Sequence, residues 1–261
     1  MDKTSIIGIF LGIIAVGVGM VLKGVDLVAL VNPAAILIIF IGTAASVCIA
    51  FPMSTLKKIP ALVKIIFSDK QQYNHREVVE MFTQLADQTR KEGLLSLEKQ
   101  LKEIDDPFLQ SGLQFVVDGQ SPEFIREVML EKINAMEDRH QEGVAVFSQA
   151  GTYAPTLGVL GAVIGLIAAL GDMQNMDVLG HAISAAFIAT LLGIFSGYVL
   201  WHPFANKLRE KSKKEVQIKE IMLEGMLSIT VGNSAMVVQD KLGSYLSTKE
   251  FASLKKDETD A

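Results

Sequence analysis

The sequence has almost no charge where it is most hydrophobic. Within residues 143–201 the only charged side chains are Asp172 and Asp177, in a short turn between two apolar runs. Each run is long enough to cross a bilayer, because a spanning helix needs roughly 20 apolar residues. Two further apolar runs occupy residues 5–22 and 27–56. With 50% hydrophobic residues and a mean hydropathy of +0.36, the composition indicates a membrane protein.

Other absences exclude several classes of function. A single cysteine, Cys48, cannot form an internal disulfide or a metal cluster. The net charge of -5 argues against a nucleic-acid partner. No nucleophile–base pair, metal-ligand spacing or phosphate loop is present, and the histidines are scattered along the chain. We therefore expect neither an enzyme nor a bound cofactor or metal.

The apolar runs predict four transmembrane helices, which we call spans one to four. Span one covers residues 5–22 and is interpreted as an uncleaved span, since no cleavage site follows it. Span two covers residues 33–51, with Pro33 expected at its start and Pro52 at its end. The rest of the uncharged run 27–56 should lie in the link or at the interface, because the run is too long for one perpendicular helix.

Basic residues predict the orientation in the membrane. They cluster after span two and again after span four, whereas the short links 23–32 and 172–181 are mainly acidic. Because cytoplasmic loops are enriched in lysine and arginine, both termini and the middle segment are expected in the cytoplasm. The chain is therefore expected to pass through a membrane several times, with the two short links facing outward.

The remaining segments predict an all-α fold. Residues 1–56 hold spans one and two, 57–142 a cytoplasmic helical domain, 143–206 spans three and four, and 207–261 a cytoplasmic helix and tail. Apolar residues recur at helical spacing through the domain. Gly93 should break or kink its first helix. A helix that begins at Ser121 should run on into span three, span four should continue into the cytoplasm, and residues 254–261 are expected to be disordered.

The spans contain no carboxylate, lysine or arginine that could carry an ion across the membrane. Their polar side chains are hydroxyls, which can line a water path but do not release a proton near neutral pH. His202 lies at the end of span four and is interpreted as an interfacial side chain. If this protein moves ions, another chain is expected to supply the titrating carboxylate.

Small residues and one proline distinguish spans three and four. Gly161 with Gly165 and Gly193 with Gly197 have the GxxxG spacing of helices that pack closely. Pro155 lies inside span three, where it removes a helical hydrogen bond. We expect the hydroxyl of Thr152 or Thr156 to bond the freed carbonyl. The proline is then either a passive kink or a hinge beside an ion path.

Three stretches together resemble the motility protein A (MotA) family. They are TYAPTLGVLGAVIGLIAAL, HAISAAFIATLLGIFSGYVLWHPFANKL and TRKEGLLSLE, and the resemblance extends over nearly the whole chain. Members of this family, which includes the sodium-type PomA, are stator subunits of the bacterial flagellar motor. The resemblance implies a homopentamer around two MotB-type partners, each bringing one helix with an aspartate. The small-residue faces of spans three and four would line the channel, and proton flow would turn the ring stepwise.

The resemblance also implies roles for individual residues. Pro155, Thr156, Ala162 and Thr190 would lie on the ion pathway, and Pro203 would transmit movement to the cytoplasmic domain. Sodium-type relatives carry threonine where this chain has Ala162, and sodium needs more oxygen ligands than a proton does. The transported ion is therefore expected to be the proton.

A charged pair in the cytoplasmic domain would meet the rotor. Arg90 and Glu98 match the family's charged residues that contact the rotor protein FliG. They would lie on nearly one face if their helix were continuous, but Gly93 stands between them. Exposed charges of both signs suit a contact that forms and breaks quickly.

Two alternatives of other kinds remain at this point. An ExbB/TolQ-like protein would use proton flow to drive an envelope process, but those proteins have three spans and an outward N-terminus. A membrane-anchored scaffold without transport would not need hydroxyls and small residues on the same pair of helices.

Overall fold

The computed structural model describes residues 2–69, 73–101, 104–171 and 176–259, and every regular element in these ranges is helical. The chain divides into two units, Met1–Lys70 with His140–Glu210 and Gln71–Arg139 with Lys211–Ala261. The C-terminal part of the chain therefore packs with the middle segment. Part of the predicted link 172–181, including Asp172, lies outside the described residues.

The first unit begins with two apolar helices whose ends are set by caps. α1 is Lys3–Leu22, and α2 comprises residues 33–50 with a π-helical stretch in its first half. The predicted start of α2 is confirmed, because Asn32 accepts a hydrogen bond from a first-turn N–H and Pro33 occupies the first helical position. The predicted end at Pro52 is also confirmed, since the backbone becomes extended there.

Short helices flank α2. A 3₁₀ turn at Leu27–Leu30 precedes it, a single turn at Met53–Leu56 follows, and α3 is Ile59–Phe67. The uncharged run 27–56 is thus divided among several elements, as its length predicted.

Three helices and the first part of a fourth, up to Arg139, form the N-terminal half of the second unit. α4 is His75–Glu92, α5 is Leu97–Leu101, α6 is Pro107–Val117, and α7 is Pro122–Leu170. α7 is a single helix, so the prediction that the helix after Ser121 continues into span three is confirmed. It begins at Ser121, whose hydroxyl accepts a hydrogen bond from the Phe124 N–H at 3.2 Å.

The chain after α7 is also helical. α8 is Met176–Thr230, with a π-helical segment at Ser196–Trp201, and α9 is Ala235–Gly243. α10 is Thr248–Thr259, so the expected disorder is wrong for residues 254–259. A reciprocal cap explains the helix, because Ser247 and Glu250 bond each other's backbone N–H groups.

The second unit has its own apolar core. Phe82, Leu113, Met129 and Met226 are fully buried in it, together with aliphatic residues of α4, α5, α6 and α9. Removing this surface from water is its main stabilisation. The predicted apolar face of α4 is confirmed by the complete burial of Val78, Val79 and Phe82.

A buried ion pair crosses this core. Lys219 Nζ of α8 lies 2.6 Å from Asp106 Oδ2, and the side chains are 10% and 3% exposed. Asp106 Oδ1 also accepts hydrogen bonds from the N–H groups of Phe108 and Leu109 at 2.9 and 3.0 Å. One carboxylate therefore both caps α6 and ties it to α8.

In the described part of the chain, four helical segments are long and apolar enough to cross a membrane: Lys3–Leu22, Leu27–Ala50, and parts of Pro122–Leu170 and Met176–Thr230. Many of their large apolar side chains are exposed, as in Phe10, Ile49, Ile167 and Phe187. Such surfaces suit lipid contact, and the helices satisfy their backbone groups internally. The chain is a multi-pass membrane protein.

Candidate functional site

A close backbone contact in the first unit joins α7 to α8 through glycines. A Cβ atom added to Gly158 would lie 2.9 Å from Gly193 Cα and 2.9 Å from the Ala189 carbonyl oxygen. In the other direction, a Cβ on Gly193 would lie 2.8 Å from Gly158 Cα. Only glycine fits at either position, because the neighbouring atoms are backbone atoms.

Small residues continue this contact along both helices. On α7 they recur at alternating spacings of three and four, at Gly151, Ala154, Gly158, Gly161 and Gly165. A Cβ added to Gly161 would lie 3.5 Å from Ala189 Cβ of α8, and one added to Gly165 would lie 3.9 Å from Ala186 Cβ. The predicted close packing of these GxxxG pairs is confirmed. That the small-residue faces of both helices also line a channel stays a prediction, since Gly161 and Gly165 are only half-buried in the single chain.

Pro155 lies at one end of this contact. A Cβ on Gly197 would come within 2.7 Å of Pro155 Cγ and 2.8 Å of the Gly151 carbonyl oxygen. In a regular helix that carbonyl would accept a hydrogen bond from the N–H of residue 155. Proline has no N–H, so the carbonyl is left without this bond. Gly197 thus leaves room for both the ring and the freed carbonyl.

The threonine hydroxyls near Pro155 do not take the expected role. Thr152 Oγ1 donates to the Ser148 carbonyl, and Thr156 Oγ1 donates to the Thr152 carbonyl, each at 3.2 Å. The expected hydroxyl bond to the freed Gly151 carbonyl is therefore wrong. Each hydroxyl instead bonds the carbonyl four residues earlier, the nearest acceptor on its own helix.

The other residues predicted for the ion path lie on or beside the contact. Thr190 is half-buried on α8 next to Ala189, and its hydroxyl donates to the Ala186 carbonyl at 3.2 Å. Ala162 is half-buried on α7 next to Gly161. Thr156 is exposed on a different face of α7.

An unburied face of α7 begins with two hydroxyls. Thr152, Thr156, Val159 and Val163 recur every three or four residues and are all exposed. This face, which we call the open face of α7, is polar at the Pro155 end and apolar beyond it. It is available to another helix.

Acidic and basic groups lie outside the central part of this unit. On α7 the last charged residue before the apolar stretch is Glu142, which pairs with Lys58 at 3.1 Å. On α8 the uncharged stretch runs from residue 178 to Lys207. Among the described residues of the four apolar segments, no carboxylate lies along the glycine contact or the open face.

α8 changes its winding beside Pro155. The π-helical segment Ser196–Trp201 ends immediately before His202 and Pro203. The His202 ring packs on α7, because a Cβ added to Gly151 would lie 2.8 Å from it, and its centroid is 5.3 Å from that of Tyr198. π-helical turns often occur at functional sites, and no spacing in the sequence revealed this one.

Sequence reasoning also missed two buried polar atoms. Thr43 Oγ1 on α2 and Trp201 Nε1 on α8 are buried and have no hydrogen-bond partner among the described residues. Thr43 follows Gly42, whose Cβ position is 3.1 Å from Leu157 of α7. Their burial depends on how the helices pack, which the local sequence does not specify.

Arg90 and Glu98 lie in the second unit on either side of a chain reversal. α4 ends at Glu92, and Gly93 has φ 82° and ψ 168°, a conformation that is essentially restricted to glycine. The predicted break at Gly93 is confirmed, so the two charges do not share a continuous helix. Both side chains are exposed, and neither forms an ion pair with a described residue.

Known protein families and proteins match this chain over most of its length. The model of the MotA/TolQ/ExbB proton channel family matches residues 100–221, and that of the motility protein A N-terminal region matches residues 6–93. Motility protein A of Bacillus subtilis (strain 168) is 60% identical, over 96% of this chain and 93% of that protein. Chemotaxis protein PomA of Vibrio alginolyticus is 30% identical, over 94% of this chain and 96% of that protein.

Solved structures agree with this relationship. A chain of the flagellar MotAB stator complex from Bacillus subtilis has a TM-score of 0.92 and 59% identity, covering 97% of this chain and 99% of that chain. A chain of C. jejuni MotAB has a TM-score of 0.90 and 29% identity, covering 95% and 97%. The chain therefore belongs to the motility protein A family.

Proposed function

We propose that this protein is the stator subunit of a bacterial flagellar motor. With a MotB-type partner it forms a proton channel and converts proton flow into torque on the rotor. The proposal rests on one observation, the absence of an acidic side chain from the described surfaces along which an ion path could run. The open face of α7 provides a surface for an ion path, yet no described carboxylate lies along that face or along the glycine contact.

A partner helix would complete the path. The open face of α7 carries the Thr152 and Thr156 hydroxyls and then apolar residues, which suits one transmembrane helix with a single carboxylate. Protonation of that carboxylate would change its contact with one wall. Five subunits around two such helices cannot all make the same contact with them. Each protonation would therefore favour rotation of the ring of subunits until the next subunit faces the partner carboxylate.

The orientation and the ion follow from the sequence. The basic residues after the second and fourth spans favour cytoplasmic termini in a bacterial cell membrane. Ala162 offers no side-chain oxygen where sodium-type relatives carry threonine, which favours proton coupling.

The rotor contact would use Arg90 and Glu98 of the second unit. Both are exposed, and the chain reversal at Gly93 separates them. Such charges steer association more than they strengthen it, as a contact made and broken at each step requires. FliG is the proposed rotor partner.

The alternative of an ExbB/TolQ-like envelope energiser is less well supported. The chain has four candidate spans in its described residues, and the motility protein A N-terminal model covers residues 6–93.

Complementation tests the proposal directly. In a Bacillus subtilis strain without its own motility protein A, this chain and its cognate MotB-type partner should together restore swimming. Normal membrane levels without any swimming or stator assembly would argue against a motor function.

Reversing one rotor-facing charge tests the contact. Arg90→Glu or Glu98→Lys should lower swimming speed and torque while leaving the membrane complex intact, because both side chains are exposed. Lys99→Glu is a matched control, because this position next to Glu98 is also exposed and has no ion pair with a described residue. Loss of the complex in the Arg90 or Glu98 variant would instead assign these residues a structural role.

A further inference from the structure

A groove lies between the start of α1 and the middle of α8. It has a volume of about 380 Å³. Its walls come from both helices: Thr4, Ser5, Gly8, Ile9, Tyr198, Val199, Pro203, Phe204 and Lys207. The groove is thus polar near the N-terminus and apolar further along α1.

An ammonium group marks its polar end. Lys207 Nζ lies 2.5 Å from Asp2 Oδ2 and 2.9 Å from Thr4 Oγ1. The hydrogen bonds from Lys207 and Thr4 hold the pKa of Asp2 well below its usual range, so this carboxylate remains charged. An ammonium carries three donors, and these contacts use two of them. One N–H remains for an oxygen atom of a ligand.

The apolar part of the groove is open along α1. A Cβ added to Gly8 would meet no atom within 4 Å, and Ile9, Val199 and Phe204 form the surrounding surface. From Lys207 to Tyr198 the groove extends about 13 Å along α8, at about 1.5 Å per residue. That length matches a headgroup and the upper part of an acyl chain in one leaflet.

We propose that this groove binds one anionic phospholipid. Its phosphate accepts a hydrogen bond from Lys207, and an acyl chain lies over Gly8 against Val199 and Phe204. Pro203 also lines the groove, so the lipid contacts α8 where its π-helical segment ends.

Charge favours a lipid over another occupant. Asp2 balances the charge of Lys207, and the excess positive charge comes from Lys3 and Arg209, which flank the groove in sequence. The proposal depends on the cytoplasmic orientation of the N-terminus proposed above. Cytoplasmic leaflets carry anionic lipids that attract basic residues at the ends of spans. A helix from a second copy of the chain would not need the ammonium.

The test compares two glycines of α1. The complex with its partner is purified from membranes of phosphatidylglycerol and phosphatidylethanolamine, and bound lipid is measured by native mass spectrometry. Gly8→Leu places an apolar side chain in the groove, and its Cβ would meet no atom within 4 Å. Gly19→Leu is the matched control, because its Cβ also meets no atom within 4 Å and it lies outside the groove.

The wild-type and Gly19→Leu complexes should retain at least one phosphatidylglycerol per chain, and Gly8→Leu should lose more than half of it. An excess of inorganic phosphate should not displace the lipid. Equal retention in all three complexes would overturn the proposal. So would loss of pentamers without loss of lipid in Gly8→Leu, since that result would place a second copy of the chain in the groove. Because motility is not the readout, failure here would leave the motor function untouched.

Discussion

Alanine at Gly193 should push α7 and α8 apart. The new Cβ would lie 2.8 Å from Gly158 Cα and 2.9 Å from the Ala154 carbonyl oxygen. Neither atom can turn aside as a flexible side chain would. Carbon atoms in ordinary contact are about 3.5 Å apart, so the helices must separate by roughly 0.7 Å.

The free-energy cost of Gly193→Ala can be separated from other effects by comparison with Gly165→Ala. Overpacking of this kind costs about 1–3 kcal/mol. Alanine also improves helix propensity by about 1 kcal/mol, but that gain applies equally to Gly165→Ala. At Gly165 the new Cβ would meet its nearest atoms at 3.9 Å, an ordinary contact. The difference between the two variants therefore isolates the clash.

Thermal unfolding of the purified complex measures this difference. A change of 1 kcal/mol shifts the midpoint of a chain of this size by about 2–4 °C. Gly193→Ala should unfold several degrees below Gly165→Ala, which should match or exceed the wild type. Equal midpoints for the two variants would refute the assignment of Gly158 and Gly193 as the tightest contact of α7 with α8.

Three further outcomes are expected. Lys219→Met should destabilise the complex by about 3–5 kcal/mol in denaturant unfolding, because it leaves the buried Asp106 carboxylate unpaired; a loss below about 1 kcal/mol would contradict the pairing. The pKa of Asp2 is lowered in the folded protein, so its ionised form stabilises the fold at every pH above about 4, the usual pKa of an aspartate. This stabilisation is lost only as the pH falls further, through the lowered pKa of the folded protein. The difference in unfolding free energy between wild type and Asp2→Asn should thus be constant from about pH 5 to 8, and a difference that vanished at neutral pH would refute it. Swimming should persist when sodium is replaced by potassium, because Ala162 offers no ligand oxygen; arrest without sodium would show sodium coupling.

Features set by local sequence were predictable. Helix starts at Pro33 and Ser121 followed from capping chemistry, and the break at Gly93 followed from its backbone freedom. The spans followed from long uncharged runs, because the cost of placing charge in a bilayer leaves a clear signal.

Features set by packing were not predictable. The GxxxG spacing indicated close helices but not which helix each glycine face would pack against. Gly158, which makes the tightest contact with Gly193, belongs to neither GxxxG pair. The Lys219–Asp106 pair joins residues 113 positions apart, a distance at which sequence patterns carry no information on contact.

The central claim is that this chain forms the walls of a proton path and that another polypeptide supplies its acid. Proton flux into liposomes measures this most directly, with the chain reconstituted alone, with its MotB-type partner, and with a partner whose transmembrane aspartate is replaced by asparagine. The partner should be truncated to remove any periplasmic segment that keeps the channel closed. The account predicts flux only with the partner that retains its aspartate. Strong flux from this chain alone would contradict it.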